Sequence, residues 1–435
     1  MDFIKNNYFF AKEKLFPICR SITGSGIKET LSLIKKKYSK LKIKNISSSK
    51  KVFDWVVPPE WNVKNAYIID ENGNKIINFQ DNNLHLVGFS HKINKTINKK
   101  TLLKHLHFRK DLPNAIPYVT SYYKKYWGFC ITYNHYKKIL KNYKNDNKFK
   151  IFIDVKFNKK GNLNYGELVL KGKSKKEILI STYICHPSMA NNELSGPIVS
   201  MSLIDFFSKR KNLEKTIRFI FIPETIGSIV FIHQNFKHLK YFCIGGYNLT
   251  CIGDERNHSC MLSKYRNSPS DKCLVDAYKN LKINYKEYSF LFRGSDERQY
   301  NSPGVDLGIT SIFRSKYGEY KEYHTSLDNF SMVTVRGIKG GFTVAKNAIL
   351  NLQKCILPTT NTLCEPKLSK RDLYSTISQI NYKTNKSRFS KKLLNFLQYS
   401  DGNNRLEEIS NYINLNINET KNLYKLLKAK KLINE

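Results

Sequence analysis

The chain has 435 residues and a formal net charge of +39, with 74 Lys and Arg against 35 Asp and Glu. This length exceeds one ordinary small domain and predicts two or three domains, at least one with a sizeable core. There is no apolar run of 18 residues and no signal-peptide cleavage site near the start, so we expect a chain that neither spans a membrane nor is exported.

The positive charge is typical of proteins that attract nucleic acid or an anionic membrane surface. Lys outnumbers Arg more than fourfold, however, and the excess is spread along the whole chain together with many Asn and Ile. Arg is the better bidentate ligand of phosphate, so this pattern favours an AT-rich coding bias and a solvated surface. The nine scattered cysteines include no C-x-x-C pair, which predicts reduced thiols in a cytoplasmic protein.

The residue composition and the apolar periodicity change twice in the first half of the chain. Residues 1–40 carry apolar residues at helical spacing, and residues 40–46 alternate as a strand does. Short aromatic-rich strands separated by Pro, Gly and Asn follow, which predicts a small β domain inserted at residues 49–135. Residues 150–157 and 165–170 then read as two strands of a hairpin across 159–162.

The second half alternates buried strands with helices. Strand patterns at residues 177–180, 217–222 and 241–252 predict an α/β sheet, which we assign to a catalytic domain of residues 1–48 and 136–365. A helix over residues 333–352 closes that domain. Three short amphipathic helices within residues 366–435 predict a winged-helix-like module.

Candidate ligands follow the ends of successive predicted strands. His186 and Glu193 lie in the first loop, Glu224 follows the second strand, Asp254 follows the third, and His324 lies in a later polar loop. Neutral imidazole and carboxylate are the groups that catalytic zinc takes, with a further carboxylate as base. The plainer alternative is that His186 is a hydrogen-bonded loop histidine and that the two asparagines before Glu193 form a turn.

Four segments extend this pattern: I-S-T-Y-I-C-H-P-S-M-A-N-N-E-L-S-G at 180–196, P-E-T-I-G-S at 223–228, G-S-D-E-R-Q-Y-N-S-P-G at 294–304 and Y-H-T-S-L-D-N at 323–329. They resemble bacterial aminopeptidase-like proteins that carry an inserted β domain and a C-terminal winged helix and are often described as polysaccharide-biosynthesis proteins. More distantly, the core is similar to zinc aminopeptidases and glutaminyl cyclases. The resemblance implies a zinc-exopeptidase-like mixed sheet between helices.

The resemblance also implies that His324 is a zinc ligand and that Glu224 is the general base. At four other positions where such aminopeptidases place metal ligands, this chain has different residues: Tyr183 for His, Asn192 for the bridging Asp, Thr225 for Glu and Thr250 for Asp. A pair of zinc ions is therefore not expected. Two alternatives stay open. In one, a single zinc is held by His186, His324 and one carboxylate, which is Glu193 or Asp254. In the other, the catalytic site is lost and the protein binds a ligand without cleaving it.

Our leading hypothesis is a zinc-dependent hydrolase that cleaves an amide of a small peptide or amino-acylated sugar, with a metal-bound water as nucleophile and Glu224 as base. Asp296, Arg298 and Tyr323 are expected to bind the substrate. The rival is a non-catalytic or regulatory ligand-binding protein whose residues 366–435 contact nucleic acid or a protein partner. Nucleic-acid binding driven by charge alone is a third hypothesis, and assembly into a homo-oligomer is left open.

Overall fold

The structure is a computed structural model that describes residues 2–373 and 385–434, apart from the side chains of residues 385–388. Its α-helices are α1 (Asp2–Phe10), α2 (Ser25–Lys37), α3 (Lys99–Leu103), α4 (Tyr133–Asn142), α5 (Ser195–Phe207), α6 (Ile226–Phe242), α7 (Pro269–Asn280), α8 (Glu297–Tyr300), α9 (Val335–Lys354), α10 (Asn385–Gln398), α11 (Leu406–Tyr412) and α12 (Ile417–Ala429).

The strands follow the same chain order. They are β1 (Lys42–Ser47), β2 (Lys51–Val52), β3 (Trp55–Val56), β4 (Glu60–Ile69), β5 (Lys75–Asn78), β6 (Ile93–Asn98), β7 (Leu106–His107), β8 (Phe129–Cys130), β9 (Lys148–Asn158), β10 (Asn162–Leu170), β11 (Ser174–Tyr183), β12 (Lys215–Ile222), β13 (Cys243–Leu249), β14 (Ser259–Met261), β15 (Lys286–Tyr288), β16 (Ile309–Phe313), β17 (Thr359–Thr360) and β18 (Ile433–Asn434).

An eight-stranded sheet forms the main layer, in the order β1-β10-β12-β11-β13-β16-β14-β15. Its four central strands, β12, β11, β13 and β16, are parallel, and antiparallel pairs flank them. Successive residues Phe219, Ile220 and Phe221 of β12 are all at most 1% exposed. Because successive side chains of a strand point to opposite faces, both faces of the sheet are covered. The predicted α/β fold with a mixed sheet between helices is confirmed.

A second sheet, in the order β5-β4-β9-β6, lies apart from the first. Strand β9 pairs with β4 and β6, whereas the next strand, β10, pairs with β1 and β12. The predicted hairpin of residues 150–157 and 165–170 is therefore wrong, because the two strands are consecutive in sequence but belong to different sheets. Strand β9 joins the small sheet although it follows residue 135. The division of the chain into domains at 49–135 and 366–435 stays a prediction.

The C-terminal helices α10, α11 and α12 surround a core of their own, which includes Leu393, Phe396, Ile409 and Leu427. The module is closed by β17, which pairs with β18 at the other end of the segment. Ion pairs join it to α7, for example Lys272 with Glu408 at 2.8 Å. The predicted three-helix module is confirmed. In the part of the chain that the structure describes, no helix is long and apolar enough to cross a membrane.

Candidate functional site

The site lies at the carboxyl ends of the parallel strands β11, β12 and β13, where open α/β sheets commonly bind ligands. The loop after β11 leads through a π-helical turn at Ala190–Leu194 into α5. At the second residue of α5, Gly196, a Cβ atom would lie 2.3 Å from the Leu249 carbonyl oxygen and 2.3 Å from Thr182 Oγ1. Only glycine therefore lets α5 approach β11 and β13 this closely.

His186 is the buried centre of the site. Its Nδ1 lies 2.8 Å from Glu193 Oε2, and its Nε2 lies 3.7 Å from Glu224 Oε2. Burial opposes protonation of the imidazole, but Cys185 and the Glu193 carboxylate outweigh it and raise the pKa of His186 well above its usual value. A carboxylate on Nδ1 fixes the ring and its tautomer, so Nε2 is the nitrogen presented to Glu224.

Arg20 stands behind this pair and was missed in the sequence. Its Nε lies 3.6 Å from Glu193 Oε1 and donates to the His186 carbonyl at 3.1 Å, and neither charged side chain has solvent exposure. Glu193 thus bonds His186 on one side and faces a guanidinium on the other. The sequence shows only a break in helical periodicity after Arg20, at residues 21–26, and this break does not connect Arg20 with His186.

His324 completes the group beside His186, with 5.3 Å between the two ring centroids. Its ring stacks on Tyr323 at 3.9 Å, and its Nε2 is buried with no hydrogen-bond partner among the described residues. Burial, together with the charge on His186, lowers the pKa of His324 to about 3. The imidazole is therefore neutral near pH 7 and has a free lone pair.

The segment before β8 positions the His324 loop. Tyr118 donates its backbone N–H to the His324 carbonyl at 2.8 Å, and Ser326 donates to the Ile116 carbonyl at 2.9 Å. The Tyr118 ring lies 5.1 Å from both His186 and His324. Residues 116–118 therefore form one wall of the site.

Glu224 sits at the end of β12 with 22% of its side chain exposed, and burial raises its pKa. The next residue, Thr225, has φ +63° and donates its N–H to Asp296 Oδ1 at 2.7 Å. Asp296 is fully buried, and burial together with the charge of Glu224 raises its pKa to about 8. Arg298 Nη2 donates to Thr225 Oγ1 at 2.6 Å. Asp296 and Arg298 thus stabilise the position of Thr225, the residue that follows Glu224.

Asp254 lies in another hydrogen-bond network. Its oxygens accept from the N–H and hydroxyl of Ser315, from the Arg256 N–H and from Asn191 Nδ2, at 2.8–3.1 Å. Asp328, which the sequence reasoning did not single out, accepts N–H bonds from residues 190–192 and holds their turn in place. The sequence feature that could have pointed to Asp328 is its position in the motif at residues 323–329.

The replaced ligand positions bond to one another. Tyr183 Oη donates to Asn192 Oδ1 at 2.7 Å and lies 2.5 Å from Thr250 Oγ1. Thr250 Oγ1 in turn donates to the Asn192 carbonyl at 3.1 Å. All three side chains are buried and uncharged. They form a closed hydrogen-bond network in which each polar group already has a partner.

Comparison with known families shows which protein families this chain matches. Residues 9–354 match the family model described as a domain of unknown function, DUF4910, and residues 356–435 match a winged helix-turn-helix model. The chain belongs to the DUF4910 family. A Clostridium acetobutylicum protein is 38% identical over 369 residues, which are 84% of this chain and 82% of that protein. Its provisional name is polysaccharide biosynthesis protein with aminopeptidase-like domain.

Solved structures agree with this assignment of the DUF4910 chain. A crystal structure from Clostridium acetobutylicum, provisionally named a peptidase, matches with a TM-score of 0.78 at 34% identity, covering 100% of this chain and 96% of that one. A zinc aminopeptidase from Bacillus subtilis matches with a TM-score of 0.58 at 14% identity, covering 80% of this chain and 93% of that one. The fold is that of an aminopeptidase-like domain with a C-terminal winged helix.

The residues of this DUF4910 site do not fit two zinc ions, because Tyr183, Asn192 and Thr250 are neutral and already bonded to one another. They do fit one metal ion near the two imidazoles, since the buried Nε2 of His324 has no hydrogen-bond partner in the part of the chain that the structure describes. Among the described residues, the group with ligand atoms all within 4.8 Å is Cys185, His186 and Glu193. There the His186 Nδ1 is bonded to Glu193 Oε2, which leaves His186 Nε2 and the other Glu193 oxygen, Oε1, for a metal.

Proposed function

We propose that this DUF4910 protein is a hydrolase of the aminopeptidase type that cleaves an amide of a small peptide or an amino-acylated sugar with the help of one zinc ion. The observation that carries the proposal is the buried Nε2 of His324, which has no hydrogen-bond partner among the described residues and lies beside the His186 ring. A buried polar atom without a partner is costly, and in native proteins a water, an ion or a catalytic role accounts for it. The aminopeptidase-like fold supports the same reaction class.

His186 and His324 would hold the ion through their Nε2 atoms, and His186 would release its Nε2 proton when the ion binds. Zinc supplies Lewis acidity and lowers the pKa of a bound water. Glu193 fixes the His186 ring through Nδ1, and Arg20 in turn fixes Glu193. Such outer contacts orient metal-binding imidazoles and strengthen them as donors. Asp254 has no part in this arrangement, because its oxygens are engaged by Ser315 and its neighbours.

Glu224 is the general base of the proposed reaction. Burial raises the pKa of its carboxyl, which makes the carboxylate a stronger proton acceptor near neutral pH. The orientation of the Glu224 side chain depends on the next residue, Thr225, whose N–H donates a hydrogen bond to Asp296. Thr225 at φ +63° and His324 at φ +55° both have a positive φ, which residues with a Cβ rarely adopt. Strain of this kind persists mostly where function needs a fixed geometry.

Three aromatic rings surround the two imidazoles. Tyr118 contacts His324, Tyr323 stacks on His324, and the Tyr183 ring centroid lies 5.3 Å from that of His186. Such rings would supply apolar surface to the acyl part of a bound amide.

The test combines metal analysis with an activity screen on aminoacyl amides. We expect about one zinc per chain, loss of zinc in His324→Ala, and retained zinc without hydrolysis in Glu224→Gln. Loss of zinc in Glu224→Gln would make Glu224 a ligand instead of the base. His135→Ala on α4, away from the site, is the matched control and should keep both zinc and activity. Full zinc occupancy in His324→Ala would overturn the assignment.

A second candidate function is non-catalytic ligand binding on a relic peptidase fold, with the winged-helix module contacting nucleic acid or a protein. The buried network of Tyr183, Asn192 and Thr250 favours it, because these residues stand where the resemblance implies metal ligands. Zinc-free protein that binds aminoacyl amides without turnover would support this candidate over the hydrolase.

A further inference from the structure

A cleft of about 970 Å³ lies between the aminopeptidase-like domain and the winged-helix module. One wall contains Ser174, Lys215 and Cys243, the first residues of the parallel strands β11, β12 and β13. The other wall comes from residues 359–361 and 401–404 of the module. The His186–His324 site follows the last residues of the same strands. This junction cleft therefore opens at the opposite edge of the sheet and is a separate site.

Positive charge dominates the junction cleft. The lining includes two aspartates, Asp306 and Asp401, and six lysines, Lys175, Lys176, Lys215, Lys240, Lys264 and Lys272. Lys264 pairs with Asp306, and Lys272 pairs with Glu408. Lys240 Nζ donates to the Val305 carbonyl and Lys176 Nζ to the Tyr241 carbonyl, which leaves both ammonium charges in place. The remaining excess of positive charge suits a ligand with more than one negative charge.

Two tyrosines at the junction cleft expose most of their rings: Tyr241 is 71% exposed and Tyr265 is 72% exposed. Lys176 and Lys264 lie over these rings, with Nζ 5.9 Å and 4.8 Å from the centroids. Exposed aromatic faces beside lysines are the combination that stacks a nucleobase and holds its phosphates. Amide side chains in the lining, among them Asn267 and Asn403, can supply further hydrogen bonds.

We propose that the junction cleft binds a nucleoside diphosphate, with the diphosphate on the lysines and the base on an exposed tyrosine. The volume is within the range that holds a ligand of this size, and such sites occur preferentially between domains. Because its two walls belong to different modules, the ligand bridges them and stabilises their contact. This inference is independent of the proposed hydrolysis.

The experiment is calorimetric titration of the full chain at 0.15 M salt with ADP, UDP, inorganic pyrophosphate and adenosine. We expect one nucleoside diphosphate per chain, weaker binding of pyrophosphate, and the weakest binding of adenosine. Lys175→Glu with Lys240→Glu should weaken every phosphate ligand by roughly tenfold or more per lysine. Tyr241→Ala with Tyr265→Ala should weaken the nucleoside diphosphates and leave pyrophosphate unchanged.

The matched control is Lys35→Glu with Lys36→Glu on α2, which changes the net charge equally at exposed positions. It should leave binding unchanged. An equal loss in this control would overturn the proposal in favour of non-specific attraction. Absence of binding would overturn it, and so would tighter binding of a single-stranded oligonucleotide that depends on the same cleft residues. All the substituted lysines and tyrosines are exposed or at the cleft surface, and circular dichroism verifies that each variant is folded.

Discussion

The Nδ1 of His186 lies 2.8 Å from the Glu193 carboxylate, and both side chains are almost fully removed from solvent. This contact uses one oxygen of Glu193. The other oxygen, Oε1, faces the Arg20 guanidinium at 3.6 Å and has no hydrogen-bond partner among the described residues, so Glu193 orients the imidazole through Oε2 while its role as a metal ligand stays a prediction. The site therefore contains a series of contacts that runs from Arg20 through Glu193 and His186 to Glu224, and His324 lies beside His186.

The first prediction is that Glu193→Gln weakens zinc binding about 10- to 100-fold, the usual cost of losing a carboxylate behind a metal-binding imidazole. The amide keeps the size of the side chain but loses the charge that orients His186 and balances Arg20. Competition with a fluorescent zinc chelator measures the affinity. Glu60→Gln serves as the control, since Glu60 is also buried but bonds Lys28 and Asn162 instead of a histidine. Equal affinities in the Glu193 and Glu60 variants would contradict the assigned role.

A second prediction concerns pH. Burial and the charge of Glu224 raise the pKa of Asp296 from an ordinary value near 3.8 to about 8. The folded protein therefore holds a proton between about pH 4 and pH 8 that the unfolded chain releases, and stability is lost as the pH rises through this window. Asn mimics the protonated acid and has no such loss. We expect Asp296→Asn to gain stability relative to wild type by up to about 1.4 kcal/mol per pH unit.

Denaturant unfolding at pH 5, 6, 7 and 8 measures this difference. Asp146→Asn, at an exposed position, is the control and should follow wild type at every pH. A constant offset between wild type and Asp296→Asn across the four pH values would show that Asp296 is ionised throughout and would refute the prediction.

The third prediction is that a chain ending at Leu357 folds without the winged-helix module. Leu357 is 4% exposed and packs in the main core, whereas Leu393, Phe396 and Leu427 pack in the separate core of the module. A chain ending at Pro366 would keep β17 without its partner β18, so the earlier end is the better choice. We expect a cooperative thermal transition and soluble protein from the Leu357 chain. Aggregation of that chain on expression would show that the core needs the module.

The sequence predicted the central strands and the loops that follow them well, because both are local signals. Periodicity located β11 and β12, and the loops after them delivered His186 and Glu224 to one edge of the sheet. Arg20 could not be predicted, because it reaches His186 across 166 residues and no pattern in one sequence links them. The same limit explains the wrong hairpin, since the alternation in β9 shows a strand but not its partners. Asp254 is an acidic residue that follows the third predicted strand, as a metal ligand would. Only the structure shows that its carboxylate accepts a hydrogen bond from Ser315.

The last prediction is that Asn192→Asp raises zinc affinity or brings the stoichiometry toward two. Two cations a few Å apart repel each other, and a shared carboxylate offsets this repulsion. Asp has the shape of Asn, and its Oδ1 can still accept from Tyr183 Oη, so the turn that Asp328 holds at residues 190–192 is kept. The added charge appears where the resemblance places the bridging ligand.

Asn191→Asp is the matched control, because it adds the same charge one residue earlier. Asn191 Nδ2 donates to Asp254, so a carboxylate there would repel Asp254 without gaining a metal. Elemental analysis and zinc competition on both variants separate the two effects. An equal gain in both would show that charge alone attracts the ion. No gain in Asn192→Asp, together with zinc-free wild-type protein, would favour the non-catalytic ligand-binding function, because the site would then be unable to take a metal even with its bridging carboxylate restored.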